Sequence, residues 1–178
     1  MKAPTSFQSA RLLFRKPGQD DAESIFQRYA GDPDIGEFLA WPIHRSVDDT
    51  RRFLEFSDAE WQQSPAGPYL LFSREDARLL GSTGLAFESP QCASTGYVLA
   101  RDAWGVGYAE ALGEMQQLSS DLGVERLFAL CHPGHAPSIR VLEKCSFGLE
   151  GTIRQSCVFP NRDPGILADV VSYSWCRS

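Results

Sequence analysis

The stretch from Gly96 to Leu112, Gly-Tyr-Val-Leu-Ala-Arg-Asp-Ala-Trp-Gly-Val-Gly-Tyr-Ala-Glu-Ala-Leu, constrains this chain more than any other. A strand-like run enters a loop holding Gly105 and Gly107, and the loop passes directly into a helical run. Small residues there let the backbone come close to a bulky ligand group. The first N–H groups of the helix have no internal partners, and the helix dipole adds positive potential. Together they can cradle a phosphate without a basic side chain. A dinucleotide fingerprint would need glycine at position 110, which is Glu110, and a Walker loop would need a Gly-Lys-Ser/Thr that is absent. A phosphate cradle of main-chain amides and a plain structural turn both stay open on this segment alone.

The rest of the chain alternates strands and helices. Ala10 to Lys16 is β-like and ends at Pro17-Gly18. Gln19 to Tyr29 reads as a helix, with Asp20, Asp21 and Glu23 at its positive end and Ala22, Ile25, Phe26 and Tyr29 at helical spacing. Gly31 to His44 is a loop. Ser46 with Asp49 resembles a capping box opening a second helix, whose apolar side is Phe53, Leu54, Phe56 and Trp61. Tyr69 to Ser73, Leu79 to Glu88 and Gly96 to Arg101 then read as an antiparallel meander. Tyr108 to Leu122 is a helix with Gly123 capping its end. A strand (Arg126 to Cys131), a helix (Pro137 to Cys145) and two strands (Phe147 to Arg154, Ala168 to Trp175) complete an α/β chain: a mixed sheet with helices packed on it.

Length and charge narrow the function classes. The 178 residues suit one domain, residues 1–178, large enough for a real core. Acidic residues outnumber basic ones, 23 to 17, the opposite of a generic nucleic-acid binder; that balance weakly favours cationic partners. No apolar run approaches the ~18 residues of a membrane span, and Met1 to Ala10 lacks an apolar secretory core. The five cysteines are odd in number and never spaced Cys-x-x-Cys, which points to reduced thiols in a cytoplasm, with no metal site and no disulfide framework.

Several ordered motifs settle the reading of the glycine loop. Trp104-Gly105-Val106-Gly107-Tyr108-Ala109 resembles motif A of the GNAT (Gcn5-related N-acetyltransferase) superfamily, Gln/Arg-x-x-Gly-x-Gly/Ala. Trp104 in place of Gln/Arg, with the Gly-Tyr-x-Leu strand before it, is typical of the RimJ/RimL-type subgroup, named for enzymes that acetylate ribosomal protein N-termini. His132-Pro-Gly-His-Ala-Pro-Ser-Ile-Arg-Val-Leu-Glu-Lys-Cys-Ser-Phe147 resembles that subgroup's H-P-x-N-x-x-S-x-x-V-L-E-K-x-G-F. Arg11-Leu-Leu-Phe-Arg15, Asp20-Asp21-Ala22 and Asp32-Pro33-Asp34 fit its opening, so the resemblance covers nearly the whole chain.

The resemblance implies a GNAT fold: a central mixed, mostly antiparallel twisted sheet with splayed middle strands and about four flanking helices. It implies acetyl-CoA as cosubstrate, no metal, and acetyl transfer to a primary amine by direct attack on the thioester in a ternary complex. Amides at Val106, Gly107, Tyr108 and Ala109, with Trp104 and Gly105, would hold the pyrophosphate. Tyr97, Val98 and Leu99 would splay from their neighbour and bond the pantetheine arm. His135, Ser138 and Leu142 would flank the arm's far end. Glu37, Asp34 and Trp41 lie in a loop that lines the acceptor side in this fold. Relatives often form homodimers.

The chain departs from its relatives at informative places. His135 stands where Asn is usual, and Ser146 replaces the Gly before Phe147. Many GNAT enzymes have a proton-donating Tyr at the position of Leu142, so Ser138 is the acid candidate. Cys157 stands where some relatives carry a glutamate base; Glu88 and His44 are the other base candidates. A lysine side chain is only about 0.04% neutral at pH 7, an α-amino group roughly 10–15%. A chain with no obvious dedicated base suits the easier nucleophile, a protein or peptide N-terminal α-amine. The alternatives are acetylation of a small-molecule amine, such as an antibiotic or toxin, and a non-catalytic acetyl-CoA-binding sensor.

Overall fold

A computed structural model describes residues 2–107 and 109–177. Among them, eight strands form one sheet: β1 (Ser6–Gln8), β2 (Leu12–Arg15), β3 (Pro68–Ser73), β4 (Leu79–Ser89), β5 (Cys92–Leu99), β6 (Arg126–Cys131), β7 (Gly148–Val158) and β8 (Leu167–Cys176). Their order is β1-β2-β3-β4-β5-β6-β8-β7. Every neighbouring pair is antiparallel except β5 with β6. The helices are α1 (Ala22–Ile25), which widens into a π turn over Phe26–Ala30, then α2 (Pro33–Gly36), α3 (Val47–Gln63), α4 (Glu110–Asp121) and α5 (Ala136–Lys144).

The sheet is covered on both faces. Leu71 and Leu80 join Leu112, Met115 and Leu142 of α4 and α5 in one core, while Leu70 and Leu79 join Ile25, Tyr29 and Leu54 of α1, its π turn and α3 in the other. Successive side chains on a strand point to opposite faces, so adjacent leucines feed different cores. That is why β3 and the start of β4 read as continuous apolar runs. Gly81 is required where β4 meets β5: a Cβ there would land on the Val98 carbonyl oxygen.

One feature of the pairing builds the site. β5 and β6 pair only at Cys92↔Arg126, Ala93↔Leu127 and Ser94↔Phe128. Beyond that each keeps only its outer neighbour, β5 with β4 as far as Leu99 and β6 with β8 as far as Cys131. The two strands therefore diverge, and the β6-facing edge of β5 past Ser94 has no strand partner. This is the splay expected of Tyr97 to Leu99.

Local signals held where they were strong. Ser46 and Asp49 form the reciprocal box that opens α3. Gly123 ends α4 at φ +85°, with Val124 N–H bonded to Ser119 O and Gly123 N–H to Ser120 O. β1, three mostly polar residues, carries no alternation signal in the sequence. Within Gly31 to His44, expected to be loop throughout, α2 forms a single turn, nucleated by Asp32, whose carboxylate accepts from Asp34 N–H and Ile35 N–H. β5 starts at Cys92, four residues before Gly96, because its first residues are held by β6 as well as β4. Among the described residues no helix is long and apolar enough to cross a membrane.

Candidate active site

The glycine loop closes the turn from β5 to α4. Arg101–Ala103 makes one 3-10 turn, and the half-exposed Trp104 donates its Nε1–H to Leu99 O at 2.9 Å. Gly105 and Gly107 take φ of +73° and +84°, conformations that L side chains resist. Ala109, which caps the start of α4, makes no side-chain cap hydrogen bond among the described residues. Arg11 holds the other side of the loop: Nη1 donates to Val106 O at 3.1 Å and Nη2 to Gly107 O at 2.5 Å, while Nε pairs with Glu110 at 2.7 Å.

A cleft of about 1210 Å³ opens where β5 and β6 diverge. Tyr97 and Val98 of β5, Cys131 at the end of β6, His132 after it, His135 just before α5, and Ser138 and Leu142 on α5 line it, together with Phe38, Trp41, His44 and Phe53. Tyr97 Oη donates to Ser138 Oγ at 3.4 Å, joining β5 to α5 across the gap. Burial raises the Tyr97 phenol, though its bond to Ser138 offsets part of the shift, and burial likewise raises the Cys131 thiol. Both therefore keep their protons at neutral pH.

Three histidines line the cleft, and each is held below the usual histidine range, chiefly by burial. His135 stacks on Phe38 with centroids 4.5 Å apart and planes at 12°, and its buried Nδ1 has no hydrogen-bond partner among the described residues. His132 Nδ1 accepts from Gly134 N–H at 3.0 Å, so its neutral form carries the proton on Nε2. His44 Nδ1 lies 2.8 Å from Thr50 Oγ1. Asn161, in the β7–β8 connection, pins the loop that carries Phe38 and Trp41: its Nδ2 donates to Gly36 O and Trp41 O, and its Oδ1 accepts from Ile43 N–H.

The sequence profile of the acetyltransferase (GNAT) domain matches residues 11–148, most of the chain. The chain belongs to the GNAT acetyltransferase family. It is similar to an uncharacterized N-acetyltransferase, p20, of Bacillus licheniformis, at 27% identity over 92% of each chain. It is also similar to the uncharacterized protein YkkB of Bacillus subtilis, at 31% identity over 87% of this chain and 92% of that one. Among solved structures, the microcin C7 self-immunity acetyltransferase MccE, seen with acetyl-CoA and AMP, superposes with a TM-score of 0.87 at 20% identity, covering 98% of each chain. RimL, the ribosomal L7/L12 α-N-protein acetyltransferase seen with coenzyme A, gives a TM-score of 0.82 at 22% identity, covering 97% of this chain and 96% of its own. This GNAT protein is thus an N-acetyltransferase, and the acetyl donor of its family is acetyl-CoA.

The GNAT fold gathers some of the expected site residues and separates others. Tyr97, Val98, His135, Ser138, Leu142 and Trp41 line the cleft together. Leu99, Trp104, Gly105, Val106, Gly107 and Ala109 do not line it; they form the strand end and loop between β5 and α4. Tyr108 lies outside the described residues. Glu37 is not among the cleft-lining residues and pairs with Arg162 at 2.6 Å, though its charge still acts on His132 and His135, and Asp34 pairs with Arg101. Glu88 is exposed near the hairpin end of β4 and is not among the cleft-lining residues, which on β4 run as far as Ala86. Cys157 lines the cleft as a thiol raised by burial. Among the described residues no group of three His, Cys, Asp or Glu could hold a metal ion.

Sequence reasoning assigned no role to Arg11, Asn161 or the Tyr97 hydroxyl. Arg11 stood inside a recognised motif, but its partner Glu110 is 99 positions away. Asn161 carried no motif at all.

Proposed function

We propose that this enzyme holds acetyl-CoA along the diverging edge of β5 and passes the acetyl group to a protein or peptide N-terminal α-amine entering from the Trp41 side. The observation that carries the reading is the parting of β5 from β6 after Ser94, which opens a cleft reaching Ser138. The residues fit the donor. The left-handed glycines and uncapped start of α4 suit a diphosphate, and the unpartnered edge of β5 suits the amides of a pantetheine arm.

Acetyl-CoA supplies an activated thioester carbonyl. A main-chain N–H on the free edge of β5 stabilises the developing oxyanion. Ser138 Oγ would give its proton to the departing sulfur and recover one that the acylated nitrogen sheds, with Tyr97, protonated and donating to Ser138, behind it. The enzyme mainly orients the two reactants. Among the described residues no carboxylate free of other partners lines the cleft, and the bases on hand are the neutral imidazoles of His44, His132 and His135. So weak a base suits an α-amine, already partly neutral at pH 7, better than a lysine side chain. RimL, whose substrate is an N-terminal amine, shares the fold.

A second reading, acetylation of a small-molecule amine, draws on the aromatic wall of the cleft and on the likeness to MccE, a self-immunity acetyltransferase seen with AMP. Release of coenzyme A thiol in the presence of matched peptides with free or blocked N-termini tests the first reading. Transfer confined to the free termini supports it; equal transfer to both defeats it.

A further inference from the structure

We infer that the amine accepted here is carried on an aromatic body with no second positive charge. The inference rests on the reading just given and narrows its acceptor.

Trp41, Phe53 and Phe56 line the same cleft as Ser138, and Phe56 is 58% exposed. Flat rings of this size reward burial of another ring by area and by edge or face contact. Trp41 and Phe53 already flank His44, at centroid distances of 5.4 and 6.2 Å, with all planes tilted near 45°. The site is built for a flat group rather than for a thin aliphatic chain.

An aromatic wall alone would also attract an ammonium ion through its ring faces. The charges around it decide otherwise. Among the described residues, Asp49 is the only carboxylate lining the cleft. Its oxygens are taken: Oδ2 accepts from Arg45 N–H at 2.8 Å and Ser46 N–H at 3.2 Å, and Oδ1 pairs with Arg52 at 2.6 Å. Arg45 and Arg52 both line the cleft, so guanidinium groups outnumber carboxylates there, although the chain as a whole carries a net charge of -6. Glu37, nearby in sequence, is held by Arg162, whose guanidinium also covers the Phe38 ring at 5.1 Å. A lysine-rich or polyamine acceptor would bring positive charge to guanidinium groups and lose water without finding an ion partner. The weak preference for cationic partners suggested by the overall charge is thus reversed at the site.

The test uses full-length enzyme whose binding of acetyl-CoA is first established by calorimetry; no binding would remove the underlying reading and this inference with it. With binding in hand, kcat/KM is measured for dipeptides led by Phe, Trp, Ala or Lys, all presenting the same kind of α-amine. The aromatic-led peptides are expected to exceed the alanine-led one by about tenfold or more, with the lysine-led peptide no better than alanine. Trp41→Ala, and separately the exposed Phe56→Ala, should pull the aromatic-to-alanine ratio toward unity. Arg45→Glu should raise the lysine-to-alanine ratio. Equal rates across the series, a lysine-led optimum, or no transfer to any of them with acetyl-CoA bound would each overturn the inference.

Discussion

The Arg11 guanidinium and the Glu110 carboxylate, 99 positions apart in sequence, meet at 2.7 Å beside the glycine loop. The same carboxylate accepts from Arg11 N–H at 3.0 Å and from the Ser9 hydroxyl. Partial burial works against the charged Glu110, but the bonds from Ser9 and Arg11 and the Arg11 charge outweigh it and hold the carboxyl below its ordinary range. Glu110 opens α4, where a bare carboxylate would compete with a diphosphate for the positive helix end; Arg11 both neutralises it and holds the carbonyls of Val106 and Gly107. Arg11→Ala should weaken acetyl-CoA binding about tenfold with kcat at saturation little changed. Arg11→Lys should not restore it, because one ammonium cannot serve three acceptors with a planar fork. Titration calorimetry on the three proteins checks this, and full rescue by lysine would show that charge alone suffices.

In the proposed reaction Ser138 gives the leaving thiolate its proton. Ser138→Ala is expected to lower kcat about a hundredfold with little change in KM for acetyl-CoA, and Tyr97→Phe to cause a smaller loss in the same parameter. Steady-state kinetics separates this from a mere binding contact, which would move KM and spare kcat.

Ser146 follows α5 at φ +62°, with Ser146 N–H bonded to Glu143 O and Phe147 N–H to Leu142 O, the pairing of a left-handed helix stop. A Cβ in that conformation costs about 1 kcal/mol. Ser146→Gly should therefore raise the melting temperature by roughly 2–4 °C, measured by calorimetry. An unchanged or lower value would mean that the gain in unfolded-chain entropy offsets the relief.

The cleft histidines make stability depend on pH. His44, His132 and His135 are all depressed, chiefly by burial. Below about 6.5 the unfolded chain binds more protons than the folded one, so their contribution is complete above that pH and is lost as pH falls through the lower folded values. Glu114, raised by burial and by Glu110, acts in the opposite direction. The urea midpoint should be lower at pH 5.5 than at pH 7.5, and His135→Asn should flatten the difference; an equal slope in the variant would remove His135 from the account.

Periodicity, caps and turns were legible because each is written within a few residues. The Ser46–Asp49 box, the Gly123 stop and the alternation of strands and helices needed no knowledge of distant partners, and the motifs through Gly107 and Ser138 placed the chain in its family. What the sequence by itself determined was the menu of elements and the loop whose glycines must be left-handed. Only the tertiary structure decided which side chains meet. It joined Tyr97 to Ser138, locked Arg11 to Glu110, and occupied Asp49 and Glu37 with arginines. Those outcomes depend on strand order and on the parting of β5 from β6, which no local run of residues encodes. A side chain's chemistry is set by what stands within a few ångströms, and in this fold those neighbours come from the far ends of the chain.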